Sequence, residues 1–125
     1  NEMDYALNPQ ERMKQIVKLT GLGAEIKRCI GLHMRKSKKL NEKEMAKLKN
    51  DMQVQYEITL ERLRKLKEAY ENVLKDFVNE NIKDTEVGKG ITANDVVKYL
   101  GELIQKVEGF KNEDLGAVNG GNQGI

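Results

Sequence analysis

Asn41–Ile82, NEKEMAKLKNDMQVQYEITLERLRKLKEAYENVLKDFVNENI, decides the fold, because it is the longest stretch with a helical repeat and holds neither Gly nor Pro. Heptad lettering puts Met45, Lys49, Met52, Tyr56, Thr59, Leu63, Leu66, Tyr70, Val73 and Phe77 on the a and d places. Only Lys49 and Thr59 break that stripe. Leu48, Leu60, Leu74 and Val78 widen it into the broader face of a bundle helix. At roughly 1.5 Å per residue the stretch makes a rod on the order of 60 Å long. In a chain of 125 residues, everything else must fold along it.

The flanks supply the punctuation. Asn41 and Glu44 are spaced as a capping box, so the helix begins at Asn41. Upstream, Asn8-Pro9-Gln10-Glu11 reads as another helix start, followed by Met13, Ile16, Val17, Leu19, Leu22, Ile26, Cys29 and Ile30 at three- and four-residue steps. Gly21 and Gly23 interrupt that pattern and predict a kinked or broken helix over 9–38. The connection Ser37–Leu40 is short, which sets the two helices antiparallel. Downstream, Lys83–Gly90 reads as a polar loop. Thr92 with Asp95 opens a third helix over 93–108, and Gly109 reads as its stop.

The predicted class is therefore all-α: an antiparallel hairpin with one long helix and a third packed helix, a small bundle. Residues 1–109 form the predicted domain. Residues 110–125, with four Gly after Phe110, read as a tail that is flexible or held by a partner.

Composition narrows the function classes. Hydrophobic residues make up 38% and charged residues 34%, with no Trp and two Phe, a balance that suits helices better than a β-sandwich. Cys29 is the single cysteine, which excludes an intrachain disulfide and a cysteine-based zinc site. It fits a reducing compartment, cytoplasmic or otherwise intracellular. No apolar run approaches the length of a membrane span, and no signal-peptide pattern opens the chain. Net charge is +2 but unevenly placed, with 12 Lys and Arg against 6 Asp and Glu in residues 1–50, and 10 against 14 in the rest. The basic half suits an acidic partner, nucleic acid, or the acidic half of a neighbouring copy.

Several clusters carry side chains suited to chemistry. Lys27, Arg28, Arg35, Lys36, Lys38, Lys39, Lys43, Lys47 and Lys49 gather around the hairpin turn with only Glu42 and Glu44 among them. They read either as a phosphate-binding surface or, more plainly, as a solvated helix end. Cys29, between Ile26 and Ile30, reads as a buried small hydrophobe. Gly88-Lys89-Gly90-Ile91-Thr92 lacks the spacing of a phosphate-binding loop, and Thr92 as an N-cap explains it. Glu61 with Lys65 and Glu71 with Lys75 are i,i+4 pairs of a solvated face. Met13, Met34, Met45 and Met52 suit adaptable packing or a plastic docking surface.

His33 is the only histidine, and no two-histidine metal spacing exists. The run His33-Met34-Arg35-Lys36-Ser37 resembles the phosphoacceptor segment of histidine phosphotransfer domains, which are four-helix bundles. The resemblance covers five residues, rests on the Lys three places after the His, and departs at Ser37, where that family has a small Gly. It implies a phosphorylatable His33.

No catalytic, cofactor or metal site is predicted. The expected function is a non-enzymatic helical assembly subunit or adaptor. It would bury Tyr56, Leu63, Leu66, Tyr70, Val73 and Phe77 against a copy of itself or a larger protein. The alternative is a nucleic-acid-binding subunit using the basic end, with phosphotransfer third.

Overall fold

The computed structural model describes residues 18, 20–88 and 90–116. The expected helix start at Asn8–Glu11, Met13 and the Gly-rich end from 117 lie outside the described residues. Among the described residues three helices and one short strand pair follow in order: α1 (Gly23–Arg35), α2 (Glu42–Asn79), β1 (Glu86–Gly88), β2 (Ile91–Thr92) and α3 (Ala93–Asp114). The class read from the sequence is observed, a mostly helical small bundle with a small strand pair.

The expected break before α1 falls at Gly21, whose φ of +71° is a conformation that L side chains rarely adopt. Lys18 accepts the Gly21 amide at 3.3 Å, closing the turn. α1 ends at Arg35, short of the expected 38, and the Ser37 hydroxyl donates to the Met34 carbonyl at 2.8 Å.

Both capping boxes form as read. Asn41 N–H donates to Glu44 Oε1 at 3.0 Å, and Glu44 N–H to Asn41 Oδ1 at 2.8 Å. Thr92 and Asp95 exchange the same two bonds at 3.0 and 3.2 Å. α2 is 38 residues long. It stops in a Schellman arrangement: Asn81 takes φ +61°, Ile82 N–H reaches the Phe77 carbonyl at 2.7 Å, and Asn81 N–H reaches that of Val78 at 3.2 Å.

Two expectations are corrected. Gly109 does not stop α3, which continues to Asp114, so the expected partition at 109 falls inside a helix. The helix goes on because Phe110 and Asp114 belong to its packed stripe, and that packing outweighs one helical glycine. The loop before α3 is not wholly irregular. β1 and β2 pair antiparallel around a turn in which Gly90 takes φ +71°.

The described residues fall into two compact units, one drawn from 18–23 and 63–103, the other from 24–62 and 104–116. In the second unit α1 runs antiparallel to α2. Glu25 accepts from Arg62 at 3.0 Å, and the Cys29 thiol donates to Thr59 at 3.4 Å, so rising α1 numbers meet falling α2 numbers. Its core holds Cys29, Leu48, Met52, Tyr56, Leu60 and Val107, all 2% exposed or less. Thr59, the polar residue in the α2 seam, is fully buried and satisfied by Cys29 and by the Gln55 amide at 3.0 Å. The first unit buries Leu63, Ile91, Ala93, Val96, Tyr99, Leu100 and Leu103. There Gly101 lets α3 lie against the Lys67 stem, 3.5 Å from where a Cβ would stand. Glu71 turns back to Lys67 at 2.8 Å in place of its expected partner Lys75.

Candidate functional site

Asp114, the last residue of α3, is the polar centre of the second unit, its side chain fully out of solvent. A carboxylate there meets the negative end of the helix dipole as well as the penalty of burial, so it needs donors. Three side chains provide them. His33 Nδ1 lies 3.0 and 2.9 Å from the two carboxylate oxygens, the Lys36 ammonium donates to Oδ1 at 2.7 Å, and the Tyr56 hydroxyl donates to Oδ2 at 2.6 Å. Lys36 also donates to Glu113. His33 lies in the last turn of α1 and Lys36 just past it, where the lysine's positive charge suits the helix dipole. Burial works against the Asp114 charge, but the bonds from Lys36, Tyr56 and His33 prevail and hold its pKa below the usual 3.8.

The cluster is closed by aromatic rings. Phe110 stacks on His33 with centroids 4.0 Å apart and an interplanar angle of 15°, and it lies 6.2 Å from the Tyr56 ring. Burial, then the bond to Asp114, pushes the Tyr56 hydroxyl well above its ordinary 10.0, so it stays a donor. Because the ionised carboxylate only accepts, Nδ1 carries the hydrogen, which leaves Nε2 as the nitrogen available for other chemistry in the neutral ring.

His33, Glu113 and Asp114 bring one ligand atom each within 4.8 Å of one another. The donor types suit a divalent transition metal. However, the Lys36 ammonium already bridges both carboxylates and neutralises them without an ion.

The other sequence candidates separate clearly. Tyr56 and Leu63 are fully buried in the chain's own core and are not available to a partner. Leu66, Tyr70 and Phe77 are half-buried. Val73 is 37% exposed, joined by Val78 at 76% and Ile82 at 45%. Among the bases, Lys36 belongs to the Asp114 cluster. Lys27, Arg28, Arg35, Lys38, Lys39, Lys43, Lys47 and Lys49 are exposed. Cys29 is the buried thiol expected, its acidity weakened chiefly by burial.

The sequence reading placed Asp114 in a tail and missed the cluster. The signal was present: Leu100, Leu103, Val107, Phe110 and Asp114 fall on one heptad stripe, and a carboxylate on such a stripe requires buried donors. No helix is long and apolar enough to cross a membrane among the described residues. No family model matches this chain, and neither a curated protein nor a solved structure matches it.

Proposed function

We propose that the chain is a non-enzymatic helical assembly subunit or adaptor, which buries the C-terminal end of α2 against a copy of itself or a larger protein. The observation that carries this reading is the exposure of Val73, Val78 and Ile82 around one helix end, beside half-buried Tyr70 and Phe77. A groove of about 340 Å³ runs beside Leu74 and Val78 and offers a partner side chain a seat. The active part of the seam is thus narrower than the whole stripe.

Sedimentation with a photo-crosslinker at position 78 tests the reading. Association that Val78→Asp abolishes, or a protein adduct trapped from position 78 in cells, supports it. A chain that stays monomeric to about 100 µM, weaker than specific assemblies of ordinary size, and traps no protein from that position contradicts it.

A second reading, a nucleic-acid-binding subunit, draws on the exposed bases around the hairpin turn. Its test is retention on a nucleic acid oligomer across salt concentrations with Lys38→Glu, Lys39→Glu and Lys43→Glu combined. Unchanged binding and salt slope would end it. Lys36 is left out of that set, since replacing it would break the Asp114 cluster and confuse a folding defect with lost binding.

A further inference from the structure

Within the second unit, α1 and α2 border an open groove of about 660 Å³. On the α1 side, Arg28, Leu32 and Arg35 follow one another at helical i, i+4 and i+7 spacing, with Gly31 beside Leu32. On the α2 side stand Asp51 and Val54, the latter 51% exposed, and Ile58 one turn further is 47% exposed. The groove therefore has an apolar strip with an arginine at either end. Neither guanidinium has an acidic partner among the described residues.

Gly31 leaves the α1 wall of the groove without a side chain: a Cβ there would meet nothing within 4 Å. Gly109 is equally open, so the glycine alone marks no site, but a large side chain at 31 would project into the groove.

We infer that the Arg28–Arg35 groove is a docking site for an acidic amphipathic helix of a different protein, with acids one heptad apart bracketing aliphatic side chains. Seven helical residues span about 10.5 Å, so a partner helix laid along α1 sets its acids against both guanidinium groups. Its aliphatic residues lie over Leu32 and Val54, the helix-in-groove mode of recognition. Arginine is suited to the ends because its planar fork pairs with carboxylates in two bonds. The apolar strip and the carboxylate of Asp51 disfavour a phosphate backbone. A second copy fits poorly: acids seven apart such as Glu61 with Glu68 and Asp95 with Glu102 bracket Arg64 and Lys65 or Lys98 and Tyr99 instead of aliphatic side chains, and Asp76 and Glu80 at the end of α2 are only four apart. The groove shares no residue with the α2 end, so either surface can fail while the other stands.

Selection of displayed helical peptides, randomised on one face, against the full chain tests this inference. The enriched peptides should carry Asp or Glu seven apart around Leu, Ile or Val. Gly31→Leu, which fills the groove, and the pair Arg28→Glu with Arg35→Glu should each weaken their binding by at least about tenfold. Gly109→Leu, another helical glycine with open space around it, should leave binding unchanged. Because both arginines are exposed, the charge-reversal pair remains informative if Gly31→Leu folds poorly. The inference is overturned if no peptide is enriched, if the enriched peptides lack the acidic pair, or if binding ignores both groove changes. It is overturned as well if Gly31→Leu acts only on self-association, making a second copy the occupant. Nucleic acid binding that charge reversal removes and Gly31→Leu spares, with no peptide bound, overturns it too.

Discussion

The two halves of α2 carry the same heptad repeat and end up in different surroundings. From Leu48 to Leu63 the seam is closed: Leu48, Met52, Tyr56, Thr59, Leu60 and Leu63 are each 2% exposed or less. From Leu66 onward it opens, until Val78 is 76% exposed. Periodicity does not separate them. What differs is company. α1 has only 13 residues, and its bonds to α2 run from Glu25 at Arg62 to Cys29 at Thr59, while His33 and Tyr56 meet only through the shared Asp114 of α3. An apolar stripe shows which face of a helix wants burial, but the lengths and caps of its neighbours determine how much of that face is covered.

The largest expected effect breaks the closed half. Asp114→Ala leaves the Tyr56 hydroxyl, His33 and Lys36 without their acceptor, and should lower unfolding stability by about 3 kcal/mol, measured by urea titration. Tyr56→Phe removes one donor and keeps the ring against Phe110, so the same titration should show a loss of about 1 kcal/mol.

The pH profile sharpens the assignment. Because the native Asp114 pKa lies below the ordinary 3.8, its contribution is present above that value and is lost as pH falls below it through the depressed native value. Asp114→Asn should flatten that part of the acid limb. Tyr56 works in the opposite sense. Its raised value favours the neutral hydroxyl in the native state, so that contribution is full below pH 10.0 and fades as pH climbs above it. Tyr56→Phe should remove that part of the alkaline loss.

Smaller effects belong to exposed positions. Gly109→Ala, with open space for its Cβ, should stabilise the fold by about 0.5–1 kcal/mol through helix propensity alone. Val78→Asp should stay within about 0.5 kcal/mol for the isolated chain, as expected of a residue that packs against little of its own fold.

Much of the fold was legible because its signals are local. The boxes Asn41–Glu44 and Thr92–Asp95 each lie within one turn, and the break at Gly21 needs only a backbone preference. The Asp114 cluster was not legible in this way. Lys36 and Asp114 are 78 positions apart, and Tyr56 and Asp114 are 58 apart, so no local preference pairs them. Gly109 reads as a stop on propensity alone, but the packed residues beyond it carry the helix on to Asp114. The short β1–β2 ladder was missed for a related reason: Val87, Ile91 and Thr92 favour strands, but two such short segments make sense only when paired.

Hydrogen exchange along α2 of the isolated chain tests the contrast between its halves most directly. The account predicts that amides from Leu48 to Leu63 open only with global unfolding, while those from Tyr70 to Asn79 exchange through local opening at markedly lower protection. Equal protection along the whole helix in the monomer would contradict it.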